Sequence, residues 1–277
     1  MNAKRMCFTV FTVKSGLSAW LMALAGLTCA GCSREDGGTV NVIGSTSIQP
    51  FAEHLAQVYG KKHPGERVEV QGGGSTAGLQ AVANGLAHIG TCSRSLSDEE
   101  ARQFTPIVIA RDGVAIVVNP ANPVNNLTLE QLRGIFSGRF KNWKDVGGRD
   151  EAIRPITREE GSGTRESFVH LVMGPEKISR EALVQESNGA VKELVKGNPA
   201  AIGYMSLGLV DKGLKPLNVD GVEPKTEHVL SGKYTLARPL LFVTKGPPTP
   251  KAQKFIDFVL SPEGQKMLEG EGLIRAK

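Results

Sequence analysis

The chain has 277 residues, of which 40% are hydrophobic and 22% charged, with 33 Gly and 15 Pro. That length accommodates one or two domains, and the balance is that of a globular protein, which excludes a disordered, collagen-like or disulfide-stapled chain. The formal net charge of +5 shrinks once the N-terminus is set aside, and with it goes the case for a nucleic-acid binder, which needs a dense basic stripe.

Residues 1–31 read as an export signal. Lys4, Arg5 and Lys14 form a basic leader, Gly16 to Thr28 is an uncharged and mostly apolar run, and Cys29-Ala30-Gly31-Cys32 is a stretch of small residues. That order is the pattern of a secretory signal. The Ala-Gly-Cys ending resembles a bacterial lipobox, with Cys32 as the acylated first residue of the mature chain, although Cys29 stands where Leu is usual. A plain signal cut nearby, or an uncleaved anchor, is the alternative. Removing residues 1–31 takes away three of the 33 basic residues and none of the 28 acidic ones, leaving +2. No other stretch is long and apolar enough to span a membrane, so a multi-span protein is excluded. The Cys residues are 7, 29, 32 and 92. With Cys32 acylated, Cys92 has no partner, and it reads as a small buried residue in a body large enough to fold without staples.

Ser33 to Gly38 is a polar tether, and order is expected from Thr39. Val40 to Ile43 predicts a strand. Residues 48, 51, 52, 55, 58 and 59 are apolar and place one helical face over Ile48 to His63. Arg67 to Val70 predicts a strand and Thr76 to Leu86 a helix. Ser97 with Glu100 is a capping box for a helix running to Phe104. This alternation implies parallel sheets covered on both faces. Ile107 to Asn119 is long for one strand and is interrupted by Arg111-Asp112-Gly113; it reads as a crossing from one sheet to another. Thr128 with Gln131 caps a helix to Phe136. Ile153 to Thr157, Ala200 to Met205 and Leu214 to Val219 predict strands of a second sheet, and Leu240 to Thr244 a late buried one. Thr249-Pro250 opens a helix with Phe255, Ile256, Val259 and Leu260 on one face. The expected organisation is discontinuous: 39–116 and 240–277 form domain I, and 117–239 form domain II, with hinges near Arg111–Val118 and Arg238–Phe242.

Three Ser/Thr/Gly turns each precede a predicted helix: Gly44-Ser45-Thr46-Ser47, Gly72-Gly73-Gly74-Ser75-Thr76 and Gly161-Ser162-Gly163-Thr164, the last with Arg158 three residues upstream. Helix N-termini present unpaired N–H groups and partial positive charge. Gly lets the backbone approach a ligand, hydroxyls add donors, and an Arg adds a charge-assisted contact, so such turns suit an anion. Any single turn is explained as well by helix capping; three on a two-sheet scaffold behind an export signal point to convergence on one ligand in a cleft.

Several segments together resemble the phosphate-specific ABC-transporter substrate-binding proteins. They are the first two turns, Gly85 to Arg94, Leu129 to Trp143, Arg158 to Phe168 and Ala201 to Met205, and the match runs from Val40 to the C-terminus. The resemblance implies an α/β type II periplasmic-binding-protein fold: two Rossmann-like mixed-sheet domains with a ligand cleft and two crossover strands. It implies phosphate contacts from Thr46, Ser47, Ser75, Ser93, Arg158, Ser162, Gly163 and Thr164, with Ser45, Thr76 and Arg94 as further candidates. Arg94 is either a ligand or the partner of an Asp or Glu. Some members carry Asp at the place of Ser93 to accept the phosphate proton; its replacement here leaves the source of the proton acceptor open, and Ser93 Oγ or a backbone carbonyl could serve. The implied partners are inorganic phosphate and the permease subunits of an ABC importer. Membrane contact is expected through the N-terminal lipid, with a monomeric body, no nucleic acid and no cofactor.

No phosphate-binding P-loop, dinucleotide fingerprint, HExxH or G-x-S-x-G sequence is present, and the five His (54, 63, 88, 170 and 228) lack metal spacing. Ser162 has no base placed to activate it. A catalytic role is therefore not expected. The alternatives carried forward are a binding protein for sulfate, molybdate or another oxyanion, and a phosphate-sensing lipoprotein without a transport role.

Overall fold

The computed structural model describes residues 38–276. The signal, Cys32 and most of the tether lie outside the described residues. In chain order, the first elements are β1 (Val40–Gly44), α1 (Gln49–Lys62), β2 (Val68–Gly72), α2 (Ser75–Ala83), β3 (Ile89–Cys92) and α3 (Asp98–Gln103). They are followed by β4 (Thr105–Val118), β5 (Asn126–Leu127), α4 (Leu129–Ser137), β6 (Arg154–Arg158) and α5 (Gly163–Phe168). Next come β7 (Leu183–Gln185), α6 (Asn188–Gly197), β8 (Ala201–Ser206), β9 (Lys215–Pro216), β10 (Asn218–Val219) and α7 (Thr226–Leu230). The chain closes with β11 (Ala237–Thr244), α8 (Pro250–Leu260), α9 (Pro262–Gly270) and β12 (Ile274–Arg275).

Local chemistry explains most boundaries. The Ser97/Glu100 and Thr128/Gln131 boxes both form, each with its side chain and backbone bonds in place. Thr249 Oγ1 caps α8, and Pro250 sits where a missing N–H costs nothing. α1 buries Phe51, Ala52, Leu55, Ala56 and Tyr59 on one face.

The strands run in the order β2-β1-β3-β11-β4-β8-β6-β7, with β9 and β12 also bonded to β4. β1 pairs in parallel with β2 and β3, and β6 in parallel with β7 and β8. β4 is antiparallel to everything it touches. The sheet is therefore mixed, not all parallel. Thr105 to Gly113 of β4 pairs with β11, and Val114 to Val118 pairs with β8. One core gathers Val42, Phe51, Tyr59, Ile89, Phe242 and Phe255 around β1 and α8. Another gathers Ile116, Phe136, Trp143, Phe168 and Tyr204 around β8 and α4.

Four expectations need correction. Arg111-Asp112-Gly113 does not interrupt β4, because Asp112 is buried against Arg238 of β11 and the strand continues through it. β11 starts at Ala237, ahead of the apolar run, for the same reason. Leu214 to Val219 is two short strands: Leu217 N–H bonds Ile116 O at 2.8 Å, Asn218 N–H bonds Asn125 O at 2.9 Å, and the chain changes partner between them. Leu260 is 39% exposed at the end of α8, outside the buried face that Phe255, Ile256 and Val259 share.

Candidate anion site

The three turns follow β1, β2 and β6, at the carboxyl ends of strands in parallel pairs, where α/β sheets leave a crevice. They interlock. Gly74 N–H donates to Gly44 O at 2.9 Å, and Thr76 N–H donates to Gly161 O at 3.1 Å. Gly74 takes φ of +94° with its Cα face against Gly161 O, where a Cβ would come to 3.1 Å, so glycine is required by conformation and by space.

Arg158 ends β6 and is 1% exposed. Its place is set from behind by Tyr204 of β8, whose hydroxyl bonds Thr157 Oγ1 at 2.6 Å and accepts from Arg158 N–H at 3.3 Å. Tyr204 is itself stacked on Phe168 of α5, with centroids 4.0 Å apart and planes 4° from parallel, and Phe136 of α4 meets Phe168 edge-on at 4.6 Å. Burial pushes the Tyr204 phenol pKa up, so it stays protonated. An aromatic stack in one core thus aims the guanidinium. Arg158 Nη2 donates to Thr46 Oγ1 at 3.1 Å across the crevice, while Nε and Nη2 hold Glu159 at 2.9 and 2.8 Å. Its Nη1 is buried and has no hydrogen-bond partner, an orphaned donor whose natural complement is an acceptor oxygen.

Seven of the eight principal residues converge with their side chains or backbone. Ser47 Oγ and Thr164 Oγ1 are 2.8 Å apart, although 117 positions separate them in the chain. Ser75 Oγ accepts from Ser93 N–H at 3.1 Å and lies 3.4 Å from Ser93 Oγ. A Cβ on Gly163 would stand 2.3 Å from Ser75 Oγ and 2.7 Å from Ser93 Oγ, so the third turn presses directly on the second. Thr46 joins through Arg158. Ser162, 1% exposed, is engaged as the cap of α5, where its Oγ accepts from Arg165 N–H at 3.3 Å.

The further candidates separate. Ser45 Oγ accepts from Ser47 N–H at 3.2 Å and shapes its own turn. Thr76 meets Gly161 through its backbone. Of its two possible roles, Arg94 shows carboxylate partnership: Nη1 and Nη2 hold Glu100 at 2.7 and 2.8 Å, and Nε lies 2.6 Å from Glu166 of α5. Glu100 in turn is held below the usual carboxylate range, chiefly by the hydrogen bond from Arg94. Cys92 is fully buried, and burial pushes its thiol up.

Two buried groups at the centre carry no sequence motif. Arg238 of β11 donates to Thr164 Oγ1 at 2.8 Å, Ser47 Oγ at 3.1 Å and Ser93 O at 3.2 Å, and is neutralised by Asp112 at 2.9 Å. Burial draws its pKa down and Asp112 opposes that. Asn188, at the start of α6, donates to Thr46 Oγ1 at 3.3 Å and Ser47 Oγ at 3.0 Å. The only sequence signal for the ion pair was a pair of opposite charges, each set in or beside an apolar β run. The carboxylates nearest the cluster, Glu159 and Asp112, are both engaged by guanidinia. The arrangement is therefore a ring of hydrogen-bond donors suited to holding an oxyanion, and both of these carboxylates are already committed to guanidinia.

Comparison with known proteins agrees with this geometry. The model of the PBP superfamily domain matches residues 33–263. The phosphate-binding protein PstS of Bacillus subtilis is 30% identical over 267 residues, covering 91% of this chain and 89% of that protein. PstS of Borreliella burgdorferi is 32% identical over 260 residues, covering 89% and 93%. Among solved structures, a phosphate ABC transporter substrate-binding protein from Clostridium perfringens with bound phosphate superposes with a TM-score of 0.84 at 39% identity, covering 87% of this chain and all of that one. A phosphate transport receptor from Vibrio cholerae gives 0.72 at 40% identity, covering 85% and 99%. The chain belongs to the PBP superfamily and, within it, to the phosphate ABC-transporter substrate-binding proteins, a family of binding proteins rather than enzymes.

Proposed function

We propose that this protein captures inorganic phosphate within the ring of Thr46, Ser47, Ser75, Ser93, Arg158, Ser162, Gly163 and Thr164 and hands it to an ABC importer. The observation that carries the reading is the meeting of hydroxyls from the β1, β2 and β3 turns with the Arg158 guanidinium and Thr164 from the β6–α5 turn. Phosphate inserted there exchanges hydroxyl–hydroxyl contacts for charge-assisted ones, each worth about 1.5–3 kcal/mol net. The relatives named for phosphate binding support the same ligand.

We take the lobes close to the boundaries read from the sequence, 39–116 with 240–277 against 117–239, with the first crossing at Gly113, where β4 passes from β11 to β8; they close on the ion by bending at β4 and β11. Export is supported by the N-terminal leader, with Cys32 as the site of a lipid anchor and a monomeric body presenting the loaded cleft to the permease. Among the described residues no helix is long and apolar enough to cross a membrane. Isothermal titration with phosphate tests the reading: saturable heat is expected, and Arg158→Ala is expected to weaken binding by about 100-fold or more. Absence of heat with the unaltered protein rejects phosphate as the ligand.

A further inference from the structure

The contacts between the third turn and the segment after β3 do not stop at the edge of the ring. Just beyond Gly163 and Thr164, α5 meets that segment a second time. Ser167 Oγ donates to Ser93 O at 3.2 Å, and a Glu166 carboxylate oxygen lies 2.6 Å from Arg94 Nε. On the lobe boundaries taken above, Ser93 and Arg94 belong to 39–116, and Glu166 and Ser167 to 117–239. Both contacts therefore run from lobe to lobe.

The two charges are not equally free. The Arg94 guanidinium is already set by its own lobe: Nη1 donates to Ser95 O at 3.0 Å and to Glu100 at 2.7 Å, and Nη2 to Glu100 at 2.8 Å. Glu100 is fixed in turn by the Ser97 N–H at 2.9 Å. A planar guanidinium held by both terminal nitrogens cannot swing, and Nε is the donor left for the other lobe. Glu166 is the looser partner, 42% exposed against 11% for Arg94. Both line a cavity of about 560 Å3, so water and salt reach the pair.

We propose that Glu166 is a positioning residue for phosphate retention: it clasps the pre-set Arg94 across the two lobes and so holds α5 against the segment after β3 without belonging to the ring. The proposal rests on the phosphate reading and on closure of the lobes. It makes a prediction of definite sign. By its charge alone, a carboxylate three residues past Gly163 repels a bound anion, and removing it would tighten binding. The clasp requires the opposite.

The test is phosphate affinity and release rate in Glu166→Gln, by titration calorimetry and stopped flow. Affinity is expected to fall about 3–10-fold, the range of a partly exposed ion pair, with the loss in faster release and not in slower association. In about 1 M salt, where the screening length is about 3 Å, the gap to the unaltered protein closes to within about twofold. A loss caused by a deformed ring would persist at high salt. In an Arg94→Lys background, where one ammonium cannot grip Glu100 as a fork and also reach Glu166, the same substitution costs less than about twofold. Affinity that is unchanged or tighter in Glu166→Gln, a gap that salt leaves intact, or a full-sized loss in the Arg94→Lys background overturns the proposal while leaving phosphate binding in place. Failure of the unaltered protein to bind phosphate removes the underlying reading and this one with it.

Discussion

Gly163→Ala probes the site at its tightest point. The added methyl would stand 2.3 Å from Ser75 Oγ, 2.7 Å from Ser93 Oγ and 3.1 Å from Ser75 Cβ. Carbon and oxygen do not approach closer than about 3.2 Å without strain, so the two hydroxyls must retreat by roughly 1 Å or the turns must part. Rotating Ser75 away also breaks its bond from Ser93 N–H. A hydrogen bond stretched by that much is effectively lost. Two such bonds to a charged ligand amount to about 3–6 kcal/mol, which is a loss of about 100-fold or more in affinity. Stability falls as well, because overpacking this buried site costs about 1–3 kcal/mol, which outweighs the gain of at most about 1 kcal/mol from Ala as the better helix former where Gly163 opens α5. Titration calorimetry with phosphate, alongside urea unfolding, separates the two effects. An affinity within about threefold of the unaltered protein would refute the close apposition of the second and third turns.

Other outcomes follow from the same structure. Asp112→Ala leaves the Arg238 guanidinium buried without its counter-charge and is expected to cost about 3–5 kcal/mol of unfolding free energy, read from the urea midpoint; a change below 1 kcal/mol would show that the pair contributes little. Phe168→Ala removes the middle ring of the Phe136–Phe168–Tyr204 stack and should destabilise by about 3–5 kcal/mol, checked by the same unfolding curves. For Glu100, whose folded pKa is depressed by Arg94, the ion pair stabilises the fold above the ordinary carboxylate range and that contribution is lost as pH falls through the lowered value. The stability gap between the unaltered protein and Glu100→Gln should therefore close on acidification, and a gap that is flat with pH would contradict the assignment.

What could be read in advance depended on range along the chain. The turns were legible because Gly44, Gly74 and Gly161 meet a local backbone requirement and because Ser97, Thr128 and Thr249 cap helices through bonds only three residues long. Arg158 and the third turn were legible because motif and geometry lie within seven residues. Asn188 and Arg238 were not, since their partner Ser47 is 141 and 191 positions away. Asp112 looked like a strand break for the same reason: a charge in an apolar run signals a turn unless its counter-charge, here 126 positions distant, is known to be waiting. The division of Leu214 to Val219 between β4 and β5 likewise depends on which neighbours the sheet supplies, and periodicity carries no information about that.

The unbroken course of β4 through both cores has a mechanical consequence. A swing on slack loops would allow wide excursions with little restoring force. Here any separation of the cores must flex a hydrogen-bonded ribbon anchored on each side, near Gly113, where the bonding passes from β11 to β8. On the proposed closure, such a joint would act as a leaf spring, limiting the travel and storing the deflection that returns the halves to register.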